Sequence, residues 1–150
     1  MIEEIEQIKQ VKARYFRLMD QKRWDEWKEL FTEDVIAVYH GVPRNRRSDG
    51  FTEVRCDGRA DLVTKVSGFL AKGISVHHGH MPEIEVTSPT TARGIWAMVD
   101  YLRLPDFTLK GYGHYEEEYV KEEGRWKIKR ILLTRLHCDV TWETAANAND

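Results

Sequence analysis

The chain has 150 residues, enough to build one sizeable core and few for two. Hydrophobic residues at 41% and charged residues at 32% describe a globular chain and argue against a disordered or fibrous one. Lysine and arginine total 23 against 25 aspartate and glutamate, so the net charge of -2 offers no overall attraction to nucleic acid or an anionic membrane.

The opening stretch MIEEIEQIKQ is charged and amphipathic, and no apolar run approaches the ~18 residues of a membrane span. The expectation is a cytoplasmic protein. Cys56 and Cys138 are far apart and outside any metal-ligand spacing, which reads as two free thiols in a reducing compartment.

Ile5, Ile8, Val11, Tyr15, Leu18 and Met19 recur at three-and-four spacing and predict a long helix over about 2–19. Asp20 to Arg23 breaks it, and Trp24, Trp27, Leu30 and Phe31 mark a short second helix folded back on the first. Val35 to His40 is rich in β-branched and aromatic types and predicts a strand. A long polar loop follows, and Leu62, Val63, Val66, Phe69 and Leu70 place a third helix over 61–72. After Gly73 the pattern turns to strands over 74–78, 83–87, 91–103, 108–121 and 125–140, joined by short turns. Short turns between long strands predict antiparallel hairpins, and helices gathered before them predict an α+β fold with helices on one face. Strands this long must curl, so the expected architecture is a cone-shaped barrel of three helices on an antiparallel sheet around a pocket. A single domain is expected over 1–143, with 144–150 as a frayed tail.

His77, His78 and His80 lie within four residues, but alternation sends His77 and His78 to opposite faces and no matching ligand motif is present, so no metal site is read here. An inward histidine can instead accept and return a proton near neutrality; the competing reading is a hydrogen-bonded structural histidine. Asp20 closes the first helix, where the dipole disfavours a carboxylate, so it is a candidate for function or for holding the helical hairpin. Tyr15 and Tyr39 can pack, or can donate to a substrate oxygen as charge develops on it.

Tyr112 and His114 share one strand face, opposite Gly111 and Gly113, and are read as wall residues of the pocket. Asp100 shares a face with Trp96 and Met98, either inward or on the solvated side. Arg135 follows the apolar run Ile131-Leu132-Leu133 and could anchor an anion, neutralise a carboxylate or lie at the surface. Arg44, Arg46 and Arg47 sit in the long loop, solvated or acting as a lid.

The segments YFRLMDQKRWDEWKELFTEDVIAVYHG, VHHGHMPEIEV, TARGIWAMVDYL and GRWKIKRILLTRL resemble the nuclear transport factor 2-like or SnoaL-like superfamily over nearly the whole chain. The resemblance implies a cone of helices and curved sheet. Within the superfamily the catalytic likeness is to scytalone dehydratases, carried by Asp20, Tyr39, His77 and Lys110-Gly111-Tyr112-Gly113-His114. The chain departs from that pattern at Met19, where a water-binding tyrosine stands, and at Tyr112, where a histidine stands. Bile acid dehydratases share Tyr15, Asp20, His77 and Asp100, and hexachlorocyclohexane dehydrochlorinases share the Asp20 and His77 pairing.

The resemblance implies a cofactor-free lyase acting on a small cyclic or aromatic hydroxy-carbonyl compound. Asp20, His77, Tyr39, Tyr15 and His114 would carry the chemistry, and Tyr112, Asp100, Trp96 and Arg135 would bind the substrate. The alternatives are an isomerase using the same base and a non-catalytic binding or assembly domain like the small subunit of a ring-hydroxylating dioxygenase. The expected partners are a small-molecule substrate and copies of the chain in a dimer or trimer, with no nucleic acid or membrane.

Overall fold

The computed structural model describes residues 1–43 and 51–143. The expected lid at Arg44, Arg46 and Arg47 and the expected tail at 144–150 lie outside the described residues. Helix α1 spans Ile2–Asp20 and buries Ile8, Val11, Tyr15, Leu18 and Met19, the apolar stripe read from the spacing. Its end is closed by Lys22 in the left-handed region at φ 57, and the N–H groups of Lys22 and Arg23 return to the carbonyls of Met19 and Leu18 at 3.0 and 2.8 Å. Helix α2, Trp24–Trp27, runs into a 3-10 turn at Lys28–Leu30. Trp27 is fully buried and its indole N–H donates to the Tyr15 carbonyl at 3.0 Å, which holds the hairpin closed.

The remaining elements are β1 Phe31–Pro43, β2 Phe51–Asp57, α3 Arg59–Leu70, β3 Ile74–Ser88, β4 Thr91–Arg103, β5 Phe107–Glu122 and β6 Arg125–Trp142. The α+β class and the three helices on one sheet are as expected. The strands lie in the order β2-β1-β6-β5-β4-β3, and the sheet is not closed, so β2 and β3 are its edges.

Three details differ from the expectation. The sheet is mixed, because β1 runs parallel to β6 while every other pairing is antiparallel. The chain crosses through α3 to the far edge and steps back through three hairpins, which brings β6 beside β1 in the same direction. Strand β2 occupies part of the expected polar loop: Thr52, Glu53, Val54, Arg55, Cys56 and Asp57 alternate, with only Val54 and Cys56 turned to the hydrophobic core, as an edge strand allows. The two short strands expected around His80 are one, β3, carried through a register shift between His80 and Glu83.

The helices cover one sheet face. Ser75 on β3, Trp96, Met98, Asp100 and Leu102 on β4, and Gly111, Gly113, Tyr115, Glu117 and Tyr119 on β5 are buried there, alternating with more exposed neighbours. Among the described residues no helix is long and apolar enough to cross a membrane. Cys56 and Cys138 are free thiols, the first buried.

This core contains a charge that the apolar pattern does not announce. Lys12 is fully buried, and its Nζ donates to Glu117 Oε2 at 2.6 Å. Glu117 Oε1 accepts the Tyr119 hydroxyl at 2.6 Å, and the Tyr119 oxygen accepts the Trp96 indole N–H at 2.9 Å. Burial pulls the Lys12 pKa down to about 8, against the opposing charge and hydrogen bond of Glu117.

Removing one member of a buried pair strands the other. We expect Lys12→Met to lose about 3–5 kcal/mol of folding free energy in denaturant titration, and Lys12→Met with Glu117→Gln to recover most of it, because the amide oxygen still accepts from Tyr119. The folded pKa lies below the 10.5 of a free lysine, so between about pH 8 and 10.5 the unfolded chain holds a proton that the folded one has shed. Wild-type stability is therefore expected to gain a rising contribution with pH across that window, and titrations of the double variant at several pH values should lack it.

Candidate active site

A cavity of about 380 Å³ lies between α1, α3 and the inner sheet face, with Tyr15, Tyr39, His77, Asp100, Tyr115 and Arg135 in its wall. The rest of the wall is mainly apolar, including Met19, Val66, Leu102 and Leu133.

Asp20 stands at the last turn of α1, against the start of β3. Its Oδ1 accepts the Ser75 hydroxyl at 2.8 Å and the His77 Nδ1–H at 2.7 Å, while Oδ2 accepts the His77 backbone N–H at 2.8 Å. Lys22 ties the same helix end to β3 by donating to the Gly73 carbonyl at 2.7 Å. The three donors offset the unfavourable end of the helix dipole. With the proton on Nδ1, Nε2 of His77 carries the lone pair. Among the described residues no hydrogen bond takes that nitrogen; it faces Asp100 Oδ2 across 3.9 Å. The imidazole lies nearly parallel to the Phe16 ring, at 6.1 Å and 12°.

Asp100 is held by a two-pronged pair with Arg135, Nη1 to Oδ1 and Nη2 to Oδ2, both 2.7 Å. Arg135 Nε donates to the His40 carbonyl at 3.0 Å. Burial disfavours the guanidinium charge, yet the hydrogen bonds and charge of Asp100 outweigh it and raise the Arg135 pKa. Gly111 makes room for this fork, since a Cβ there would run into Arg135 Nη1 and Asp100 Oδ1.

Elsewhere in the wall the hydroxyls of Tyr15 and Tyr39 meet at 2.8 Å. Burial, the largest influence, drives both phenols well above their ordinary pKa, so both are neutral donors near pH 7. Among the described residues no group of three or more His, Cys, Asp or Glu side chains is placed to hold a metal ion.

A family model, the SnoaL-like domain, matches residues 1–131. The chain belongs to the SnoaL-like domain family. This SnoaL-like protein is similar to a Gibberella zeae protein named probable cyclase, at 21% identity over 134 residues, 87% of this chain and 89% of the relative. Its fold is similar to that of a scytalone dehydratase-like protein from Novosphingobium aromaticivorans, with TM-score 0.78, 23% identity, and 92% of this chain and 87% of that one covered. It is also similar to a hexachlorocyclohexane dehydrochlorinase, with TM-score 0.77, 13% identity, and 93% and 90% covered. At these identities the likeness is one of fold.

Of the expected site residues, the SnoaL-like cavity brings together Asp20, His77, Tyr15, Tyr39, Asp100 and Arg135. Trp96 is buried on the same face but pairs with Tyr119 behind the cavity. Tyr112 and His114 are corrected: they lie on the opposite sheet face, where Tyr112 stacks on His137 at 6.1 Å. The alternation was read correctly and the face inverted, because the inner face is the one with the glycines.

Tyr115, Ser75 and His40 were missed. Tyr115 was legible, since it shares the parity of Gly111 and Gly113; the hydroxyl of Ser75 had no signal before β3 met α1.

Arg135 and Asp100 are both almost wholly buried, with side chains 4% and 2% exposed, so breaking the fork leaves an uncompensated carboxylate. Arg135→Met is expected to lower folding free energy by about 3–5 kcal/mol. Gly111→Ala should destabilise in the same direction by wedging the fork apart, whereas Gly68→Ala, with nothing within 4 Å of the added methyl, should be neutral or stabilising. Equal midpoints for the Gly111 and Gly68 variants in denaturant unfolding would contradict this account.

Proposed function

We propose that this SnoaL-like protein is a cofactor-free lyase that removes water from a small, uncharged, cyclic or aromatic hydroxy-carbonyl compound. The observation that carries the reading is the 2.7 Å bond from His77 Nδ1 to Asp20, which orients the imidazole and leaves Nε2 as a base at the wall of an apolar cavity.

The substrate carbonyl accepts from the Tyr15 and Tyr39 end of the cavity. Nε2 of His77 takes the proton from the carbon beside that carbonyl, and the electron pair of the broken C–H bond delocalises onto the carbonyl oxygen, where the phenols stabilise it. As the carbonyl re-forms, the neighbouring C–O bond breaks. The leaving hydroxyl takes the proton back from Nε2, so substrate gives an unsaturated carbonyl compound and one water.

The charges support this direction. Around His77, two carboxylates, Asp20 and Asp100, accompany one guanidinium, so this cluster carries one negative charge until His77 becomes an imidazolium and none afterwards. The same balance disfavours an anionic substrate. A cavity of about 150 Å³ holds benzene, so the 380 Å³ here accommodates roughly two to three rings. An open cavity and a bonded Asp20–His77 pair weigh against a purely structural domain.

The test is a panel of uncharged two- and three-ring β-hydroxy ketones, with products read by mass spectrometry. The expected product is lighter by one water, and His77→Ala should lower kcat by about 10²–10⁴-fold. A product of unchanged mass would make the protein an isomerase, and full turnover by His77→Ala would remove the mechanism.

A further inference from the structure

Lys12 and Glu117 lie behind the cavity wall and take no part in the proton transfer above, yet everything Lys12 touches leads to the tyrosines. One of its three ammonium donors goes to Glu117, and its Nζ lies 3.5 Å from the Tyr115 ring centroid, 3.9 Å from that of Tyr15 and 4.7 Å from that of Phe16. Helical spacing puts Lys12, Tyr15 and Phe16 on one face of α1, and strand alternation puts Tyr115 and Glu117 on one face of β5. Tyr15 and Tyr115 both line the cavity, and the Tyr15 hydroxyl is bonded to that of Tyr39.

We propose that Lys12 is a positioning residue for the tyrosine end of the cavity: its cation, with Glu117 as counter-ion, fixes the rings of Tyr15 and Tyr115 and strengthens their hydroxyls as donors to an oxyanion. The proposal rests on the acid-base reading of the same site.

Two physical arguments support it. A cation against the face of a phenol is attracted to the ring's electron density, and more strongly as negative charge builds on the oxygen, so the hydroxyl donates more readily. Buried ion pairs add little net stability against an uncharged pair of equal volume, so stability alone does not call for these charges. Burial is the main cause of the high pKa values of Tyr15, Tyr39 and Tyr115, and the charge of Glu117 adds to it. Lys12, in direct contact with two of those rings, is the cation that offsets Glu117.

The probe is 4-nitrophenol, whose phenolate absorbs visible light and so reports the ionisation of a phenol bound in the cavity without turnover. Lys12→Met with Glu117→Gln is expected to reduce the ionisation constant of the bound probe about three- to tenfold while the unfolding midpoint stays near that of wild type. Lys12→Arg keeps a cation beside Glu117 that stays protonated, and is expected to hold the ionisation constant within about twofold of wild type. A side chain that only filled the space between the rings would be replaced as well by methionine as by arginine. In a Tyr15→Phe background the double substitution should change the ionisation less than twofold.

An unchanged ionisation constant in the folded double variant overturns the proposal, and so does one reduced as far in folded Lys12→Arg. Because the probe is not turned over, these results stand apart from the His77→Ala test. A His77→Ala variant that lost activity beside an unshifted probe would overturn the Lys12 assignment alone.

Discussion

The Asp20 carboxylate is the joint on which the site depends. It accepts three hydrogen bonds from Ser75 and His77, residues that open β3 more than fifty positions away. One carboxylate thus sets the helix against the sheet edge and the imidazole against the cavity. A carboxylate at a helix C-terminus is mildly unfavourable by itself, and only the donors of β3 make the position sound. Lys22, in left-handed backbone just beyond, makes a second tie between the same two elements.

Around that joint the cavity wall gathers a base and a pair of donors. The wall carries the imidazole and the Asp100–Arg135 fork as well as the paired hydroxyls of Tyr15 and Tyr39, among mainly apolar residues. Both buried ion pairs near the cavity obey one rule: every carboxylate oxygen has a hydrogen-bond donor. In a medium that screens poorly, full pairing is what lets a core carry charge at all. The arrangement needs space as well as charge, which is why β5 carries Gly111 where the Arg135 guanidinium crosses the sheet face.

The inverted reading of β5 shows where pattern alone misleads. Tyr112 and His114 have the chemistry expected of a site, and Gly111 and Gly113 do not, so chemistry alone favours the reactive side chains as inward. The physical demand runs the other way. An arginine lying across the inner face needs residues without Cβ atoms beneath it, and the aromatic and histidine side chains are left for the outer face. Strand β2 was missed for a related reason: an edge strand with one covered face needs only Val54 and Cys56 to be apolar, and its remaining residues read as loop.

Periodicity by itself determined the helices, four of the six strands in outline, the α+β class and the apolar stripe of α1, because those depend on spacings of two and three to four residues that any local window contains. Asp20 announced itself by breaking a helix rule, and His77 by the type and alternation of its neighbours. Resemblance joined them, while spacing left each with a structural alternative. Only the tertiary structure decided that Asp100 faces inward, that it meets Arg135, that Ser75 supports Asp20, and that Lys12 sits under two tyrosines. Apart from Lys12 with Tyr15, each of those contacts joins residues at least 35 positions apart. The choice depended on strand order and register, which no local pattern encodes.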